Sequence, residues 1–365
     1  MSNAAALVLE SPRNMNLRHF VIPEIGSDDA ILKVEACGLC GTDYEQWLGH
    51  LGDWGGGMPI VPGHEIMGYI DRIGPGAAKR WGVREGDRVA VEPIVPCGHC
   101  ADCVVGAYTR CQSDVGYGLY HGTKVAPSLW GGYATHVYLH PRTMVHRLPQ
   151  DIPTDVMSLV NPLSNAIRWV YEVGGAALGK TVIIAGPGQR GLLAAFAARR
   201  AGAARVIVTG TSADKARLDL ALQLGATDVL ETGSDLVARV TELTNGELAD
   251  VVLDVSSGAM QPIVEGVDLV KRGGRIVLAG LKGNQPLNGL PIDKVVLREI
   301  QLLGVLSAGW QSTELAIELI KQDGPKLAPL CTHSFSLNDG TAAVRTLGRE
   351  LSDGREAIHI TLTPE

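Results

Sequence analysis

Aromatic side chains are scarce, at 5% of the residues with three phenylalanines, so any core must be built mainly from aliphatic and small side chains. Long apolar runs are missing too. No segment approaches the roughly 20 consecutive apolar residues that a membrane-spanning helix requires. There is no basic run either: 32 lysines and arginines stand against 39 acidic residues, a net charge of −7. That balance argues against a nucleic-acid partner, because nonspecific affinity for phosphates needs clustered cations. The opening Met1-Ser2-Asn3-Ala4 lacks the charged and apolar regions of a secretion signal. The expectation is a globular, cytoplasmic chain with no membrane or nucleic-acid partner.

Cysteine is present but unevenly placed. Of seven cysteines, four fall in Cys97-x2-Cys100-x2-Cys103-x7-Cys111, a spacing that suits metal binding in a reducing compartment better than a disulfide framework. Four thiolates this close can surround one zinc and leave no open position, the mark of a structural site. An iron–sulfur cluster is the rival, but the usual cysteine–proline context is absent. A second donor group is spread more widely. Cys40, in Cys40-Gly41-Thr42-Asp43, precedes Gly63-His64-Glu65 by about two dozen residues. Thiolate, imidazole and carboxylate together form the donor mixture of a zinc that keeps one position open. Any one of them alone would more often be a core thiol, a satisfied histidine or a surface acid.

The 45 glycines imply many tight turns, and the length allows two domains. Up to about Pro149 the chain has the texture of an irregular antiparallel β domain, with runs such as Ala30-Ile31-Leu32-Lys33-Val34, Ile66-Met67-Gly68-Tyr69-Ile70 and Trp130-Gly131-Gly132-Tyr133-Ala134. A turn-rich link is expected through Gly74-Pro75-Gly76. Trp47, Trp54, Tyr117, Trp130 and Trp310 are either walls of an apolar cleft or packing residues. His121, His136, His140 and His146 have no ligand spacing and read as ordinary histidines. Near Asp155 the composition shifts to apolar strands alternating with alanine-rich helices, the rhythm of βαβ units on a parallel sheet. Domain boundaries are expected at 1–160 with 309–365, and 161–308, with the four-cysteine lobe at 97–111.

The first βαβ unit is the informative one. Thr181 to Ala185 is a strand, Gly186-Pro187-Gly188-Gln189-Arg190-Gly191 a turn, and Leu192 to Arg200 a helix. In that context the glycines read as a dinucleotide site: Gly186 for the tight turn, Gly188 for backbone approach to a pyrophosphate, Gly191 for close packing. Free amides at the helix start would face the phosphates, and Arg190 either adds charge there or is solvated. The next strand ends on Gly210-Thr211-Ser212 rather than on an acid. That removes repulsion against a 2′-phosphate, with Lys215 as a counter-charge, and favours NADP over NAD. Gly280 closes a later strand, on the side where such sheets bind ligands.

In their combined order, Gly38-Leu39-Cys40-Gly41-Thr42-Asp43, Pro62-Gly63-His64-Glu65, Gly86-Asp87-Arg88-Val89, the four-cysteine lobe and the glycine turn resemble the zinc-dependent medium-chain dehydrogenase/reductase family. That family includes alcohol, sorbitol, threonine and butanediol dehydrogenases. The resemblance implies an α/β protein with a GroES-like β-rich catalytic domain and a Rossmann, doubly wound parallel-sheet cofactor domain. It also implies two zincs per chain, a small-molecule alcohol or carbonyl substrate, and a homodimer or homotetramer. Cys40, His64 and Glu65 would belong to the catalytic zinc, Thr42 would pass the alcohol proton, and Asp43 would orient His64. Two positions depart from the family. Asn161 stands where cysteine, aspartate or glutamate is usual, which implies a Cys40, His64, Glu65 and water site, as in the sorbitol-type members. Glu45 stands where many members carry the histidine that ends the proton relay. The alternative is a noncatalytic NADP(H)-binding or structural relative.

Overall fold

A computed structural model describes residues 3–51, 57–113 and 115–364; Trp54 lies outside the described residues. The chain forms two compact units, Met1–Asn161 with Gly309–Glu365, and Pro162–Ala308. Among the described residues no helix is long and apolar enough to cross a membrane.

The first unit is organised on the strand Ala30–Leu39. Its alternation of Ile31, Leu32, Val34 and Ala36 with Lys33 and Glu35 buries most of its length. It pairs antiparallel with Glu65–Ile73 along one edge. Along the other edge its start pairs with His136–Leu139 and its end with His359–Thr363. Arg88–Val91, Val145–Arg147 and Cys331–Ser336 complete a seven-stranded sheet, and Asn3–Ser11 with Asn14–Val21 forms a separate hairpin. The core joins Leu9, Ile31, Leu39, Ile60, Ile66 and Val89.

Trp47, Tyr117 and Trp130 also belong to that core, so these three pack rather than line a cleft. Trp310 is 44% exposed and lies over the His146 ring at 4.2 Å. Two expected local structures change. Gly74-Pro75-Gly76 opens the helix Pro75–Trp81 instead of a plain turn, because proline at the first helical position gives up an amide that has no partner there anyway. Trp130 to Ala134 forms no regular strand. The run is pressed against neighbouring backbone, where a Cβ on Gly131 would stand 1.9 Å from the Val61 carbonyl oxygen.

The Gly86-Asp87-Arg88-Val89 stretch puts Arg88 in the core, 2% exposed. Its Nε and Nη2 donate to Glu35 at 2.7 and 2.8 Å, and its Nη1 donates to the carbonyls of Pro149 and Ile152 at 2.9 and 2.8 Å. One guanidinium thus joins the central strand to the segment leaving the sheet.

The second unit is a six-stranded parallel sheet in the order Asp228–Glu231, Arg205–Gly210, Thr181–Ala185, Ala249–Asp254, Val270–Leu278, Gln301–Gly304. The chain runs outward from Thr181–Ala185 in one direction, then returns to place Ala249–Asp254 on its other side. Ligands bind at such a reversal point, outside the carboxyl ends of the strands. The helix Gln189–Arg200 is buried from Gly191 through Ala198, and its small alanines let it lie close on the strands.

Candidate active site

Cys40 follows directly on the paired strand Ala30–Leu39 and caps the helix Gly41–Leu48. The register that sets Gly38 opposite Glu65 closes the gap of two dozen residues and brings His64 and Glu65 to Cys40. The three donor atoms lie within 4.8 Å of one another, and all three residues are buried. Cys40 Sγ is 3.1 Å from His64 Nε2. Sulfur and nitrogen ligands of one tetrahedral zinc stand about 3.5 Å apart, so a small adjustment admits the ion. A side chain at Gly38 would displace the Glu65 carboxylate, since a Cβ would lie 2.4 Å from its Oε2.

Asp43 holds two parts of this group. Its Oδ2 accepts the Cys40 amide at 2.9 Å, while its Oδ1 lies 3.6 Å from His64 Nδ1. Among the described residues neither Oδ1 nor Nδ1 has a hydrogen-bond partner, although both are buried. Closing that gap would leave Nε2 free for a metal, the arrangement in which a carboxylate orients a ligating histidine. The donor set fits zinc.

Burial disfavours a proton on His64, but the Cys40 sulfur and the Asp43 carboxylate override it and hold the pKa well above the ordinary value. A metal must displace that proton, so metal affinity rises with pH. The signs are opposite for the two forms. In the metal-free chain a raised histidine pKa adds stability at low pH that is lost as pH climbs through it, whereas the loaded chain needs the neutral ring. The melting-temperature gain on adding zinc is therefore expected to grow from about pH 6 to about pH 9. Differential scanning fluorimetry checks this, with a flatter dependence expected for His64→Asn, which keeps the lobe's contribution.

Thr42 is half-buried beside Cys40. Glu45 lies on the same helix, 43% exposed, and its Oε2 is 2.9 Å from His50 Nδ1. Asn161 is half-buried in the first turn of Val160–Ile167.

In the lobe, Cys97, Cys100, Cys103 and Cys111 converge with their sulfurs within 4.8 Å of one another. The pairs Cys97–Cys103 and Cys100–Cys111 are each 3.9 Å apart. Sulfurs on one tetrahedral zinc are about 3.8 Å apart, and a disulfide would need about 2 Å. Amides of Cys97, Cys100 and Ser113 point at sulfurs, and donation from the His99 and Cys100 amides lowers the Cys97 pKa to about 6. Burial pushes the Cys103 thiol the other way, to about 12, so the sulfur spacing carries the reading that zinc fits here also.

In the second unit Gly186 has φ +109°, and a Cβ on Gly191 would stand 1.9 Å from the Gly186 carbonyl oxygen. Gly188 caps the helix with extended backbone, and among the described residues the one atom within 4 Å of a hypothetical Cβ there is Arg217 Nη1, at 3.9 Å. An open glycine face at a helix start is a cradle for a pyrophosphate. Gln189 begins that helix. Arg190 is half-buried, and its guanidinium lies 5.5 Å over the Trp169 ring, a cation–π contact.

The loop after Arg205–Gly210 differs from its sequence reading. Lys215 is 81% exposed and pairs with Asp219 at 3.5 Å, while Arg217 reaches the glycine turn. Ser212 is exposed. Asp214 folds back and accepts the Thr211 amide and hydroxyl at 2.9 and 2.7 Å, so a carboxylate stands near the strand end after all. Gly280 lies two residues past Val270–Leu278, where a Cβ would meet the Ser256 carbonyl oxygen at 2.2 Å.

Residues 26–150 match the model of the alcohol dehydrogenase GroES-like domain, and residues 191–322 that of zinc-binding dehydrogenases. The chain is 42% identical to the probable alcohol dehydrogenase Adh of Mycobacterium tuberculosis, over 98% of each chain. It is 28% identical to human sorbitol dehydrogenase, covering 96% of this chain and 94% of that one. Among solved structures, an alcohol dehydrogenase of Thermotoga maritima superposes with a TM-score of 0.88 at 26% identity, covering all of both chains. A zinc-binding dehydrogenase of Sinorhizobium meliloti, its activity assigned only provisionally and bound to NADP, does so with a TM-score of 0.86 at 25% identity, again over the full length of both. On these likenesses, which span both units, the chain belongs to the zinc-dependent medium-chain dehydrogenase/reductase family and is an oxidoreductase of the alcohol dehydrogenase type.

Proposed function

We propose that this chain interconverts an alcohol and an aldehyde or ketone, with a zinc at Cys40, His64 and Glu65, a second zinc in the four-cysteine lobe, and NADP as the preferred cofactor. The convergence of Cys40, His64 and Glu65 around the Asp43 carboxylate carries this reading. When bound, the catalytic zinc supplies Lewis acidity toward the substrate oxygen, and the nicotinamide takes or gives the hydride.

The protein side chains do the rest. Asp43 ties the Cys40 backbone to the His64 ring. Asn161, being neutral, adds no third anion to the donor set and leaves room for a water or the substrate oxygen. Thr42 accepts the substrate's hydroxyl proton as it gives up its own. Glu45, three residues along the same helix and so on the same face, accepts it. His50, bonded to Glu45 and 60% exposed, passes it to water.

The test is a coupled screen of NADP and NAD against alcohol and carbonyl panels, with metal content measured on the same sample. Alcohol-dependent cofactor reduction with two zincs per chain is expected. One zinc per chain, bound cofactor and no turnover would favour the noncatalytic relative instead.

For the cofactor preference, Arg217 beside Gly188 supports NADP, as does the NADP bound to the Sinorhizobium meliloti relative. Asp214 at the strand end favours NAD as the second reading. Arg217→Ala is expected to lower kcat/KM with NADP by about 10- to 100-fold, the worth of a charge-assisted phosphate contact, with NAD kinetics little changed. Equal losses with both cofactors would place Arg217 at the pyrophosphate that both share and would remove its support for NADP.

A homodimer or homotetramer is the proposed assembly. Its support is the edge strand Gln301–Gly304 with Leu302 exposed, next to Val296, Leu297 and Leu306, which are 66%, 71% and 48% exposed; unpaired edges flanked by apolar side chains invite pairing. Sedimentation velocity measures the state.

A further inference from the structure

At the point where the strand order of the parallel sheet reverses, a buried ion pair sits among the loops. Asp254, the last residue of Ala249–Asp254, is fully buried, and Lys282, in the loop after Val270–Leu278, is 10% exposed; Nζ lies 2.8 Å from Asp254 Oδ2. The ammonium also donates to the Ser256 carbonyl oxygen at 2.5 Å and to Ser256 Oγ at 3.0 Å. Ser256 in turn gives its hydroxyl and its amide to Asp254 Oδ1, at 2.5 and 3.2 Å. Two N–H bonds of Lys282 are thus taken up by Ser256, and its charge is paired with that of Asp254. It is not a spare cation for a phosphate.

What the pair fixes is Ser256, where three loops meet. A Cβ on Gly186, in the glycine turn, would stand 3.2 Å from Ser256 Cα, and one on Gly280 would stand 2.2 Å from the Ser256 carbonyl oxygen. The Gly258 amide bonds the Leu281 carbonyl at 3.2 Å, the Gly280 amide that of Asp254 at 3.1 Å, and the Val255 amide that of Ala185 at 3.1 Å. A buried ion pair is weak as a source of stability, because desolvation offsets the attraction and well-packed apolar groups often serve as well. Charge-assisted bonds do impose position.

We propose that Asp254 and Lys282 are positioning residues for the dinucleotide. Acting through Ser256, they hold the Gly186 turn and the Gly280 loop at the separation that the pyrophosphate and nicotinamide half of the cofactor requires, and they touch no reacting atom. This rests on the cofactor reading above. The adenosine end is held elsewhere, after Arg205–Gly210, so the two halves of the cofactor should respond differently.

The experiment titrates the full-length, zinc-loaded protein by calorimetry with NADPH and with 2′,5′-ADP, or with NADH and AMP if the wild type prefers NAD. Lys282→Met is expected to bind the dinucleotide about 10- to 100-fold more weakly, the scale of a small misplacement, while its affinity for the adenosine fragment stays at the wild-type value. The double variant Asp254→Asn/Lys282→Gln, which keeps a neutral hydrogen-bonding pair, is expected to recover most of the loss. If Lys282→Met does not fold, Lys282→Gln is read with the same two ligands against the wild type, and a roughly 10-fold loss of dinucleotide affinity with the fragment unaffected supports the proposal, whereas no loss overturns it. Equal weakening of dinucleotide and fragment, or weakening of neither in Lys282→Met, overturns it. A wild type that binds neither dinucleotide overturns the proposed function, and the inference with it.

Discussion

Cys40→Ala is expected to reduce turnover by roughly 10³-fold or more, because it removes the thiolate donor of a Lewis acid worth several kcal/mol to the transition state. Metal content should fall from two ions per chain toward one, while dinucleotide binding stays intact. That separation follows from the fold: Cys40 stands at the end of Ala30–Leu39 in the first unit, whereas the glycine turn belongs to the second. The measurements are metal analysis, steady-state kinetics and a cofactor titration on one preparation. Turnover equal to that of the wild type would remove Cys40 from the mechanism.

Arg88→Met is expected to destabilise the first unit by about 3–5 kcal/mol, the cost of breaking a buried ion pair by removing one partner. Methionine fills much of the volume but leaves Glu35, 13% exposed, without its guanidinium, along with the carbonyls of Pro149 and Ile152. Thr154 Oγ1 still donates to Glu35 at 2.5 Å, which is too little to compensate an ionised carboxylate in that setting. Urea unfolding followed by circular dichroism gives the difference from the wild type. The companion Glu35→Gln/Arg88→Met, which removes both charges, is expected to be more stable than Arg88→Met alone. If the two variants unfold at the same denaturant concentration, the pair contributes nothing beyond packing.

How far the amino-acid order reaches depends on distance along the chain. The four-cysteine lobe closes within fifteen residues, and the strand, glycine turn and helix from Thr181 to Arg200 are consecutive. Their local chemistry leaves few alternatives, so donor types and the glycine turn could be read directly, although the helix begins at Gln189, three residues before the expected Leu192. The alternation of strands with alanine-rich helices carried the parallel sheet in the same way. Convergence of Cys40 on His64 and Glu65 is different in kind. The residue types suggested a metal, but the meeting requires Gly38 to pair with Glu65 across two strands, and a register shifted by one residue would turn those side chains to the other face.

Other features belonged to tertiary structure from the start. Lys215 and Arg217 are both cations near one strand end, and which of them reaches the glycine turn depends on where the helix Lys215–Leu224 begins, directly after the 3-10 turn Ser212–Asp214 that Thr211 caps. Trp47 looked equally suited to a cleft or a core until packing placed it in the core. His146 had no ligand spacing, yet it lies between Glu92 and Glu314, at 3.0 and 2.6 Å, residues 54 and 168 positions away. Asp254 ends one strand and Lys282 lies in the loop after its neighbour, and the parallel sheet brings those strand ends side by side. By itself the sequence determined which chemistry this chain can carry, because donor types, glycine turns and short spacings act locally. Tertiary structure alone decided which side chains meet, because register, helix phase and burial are collective properties of the folded chain.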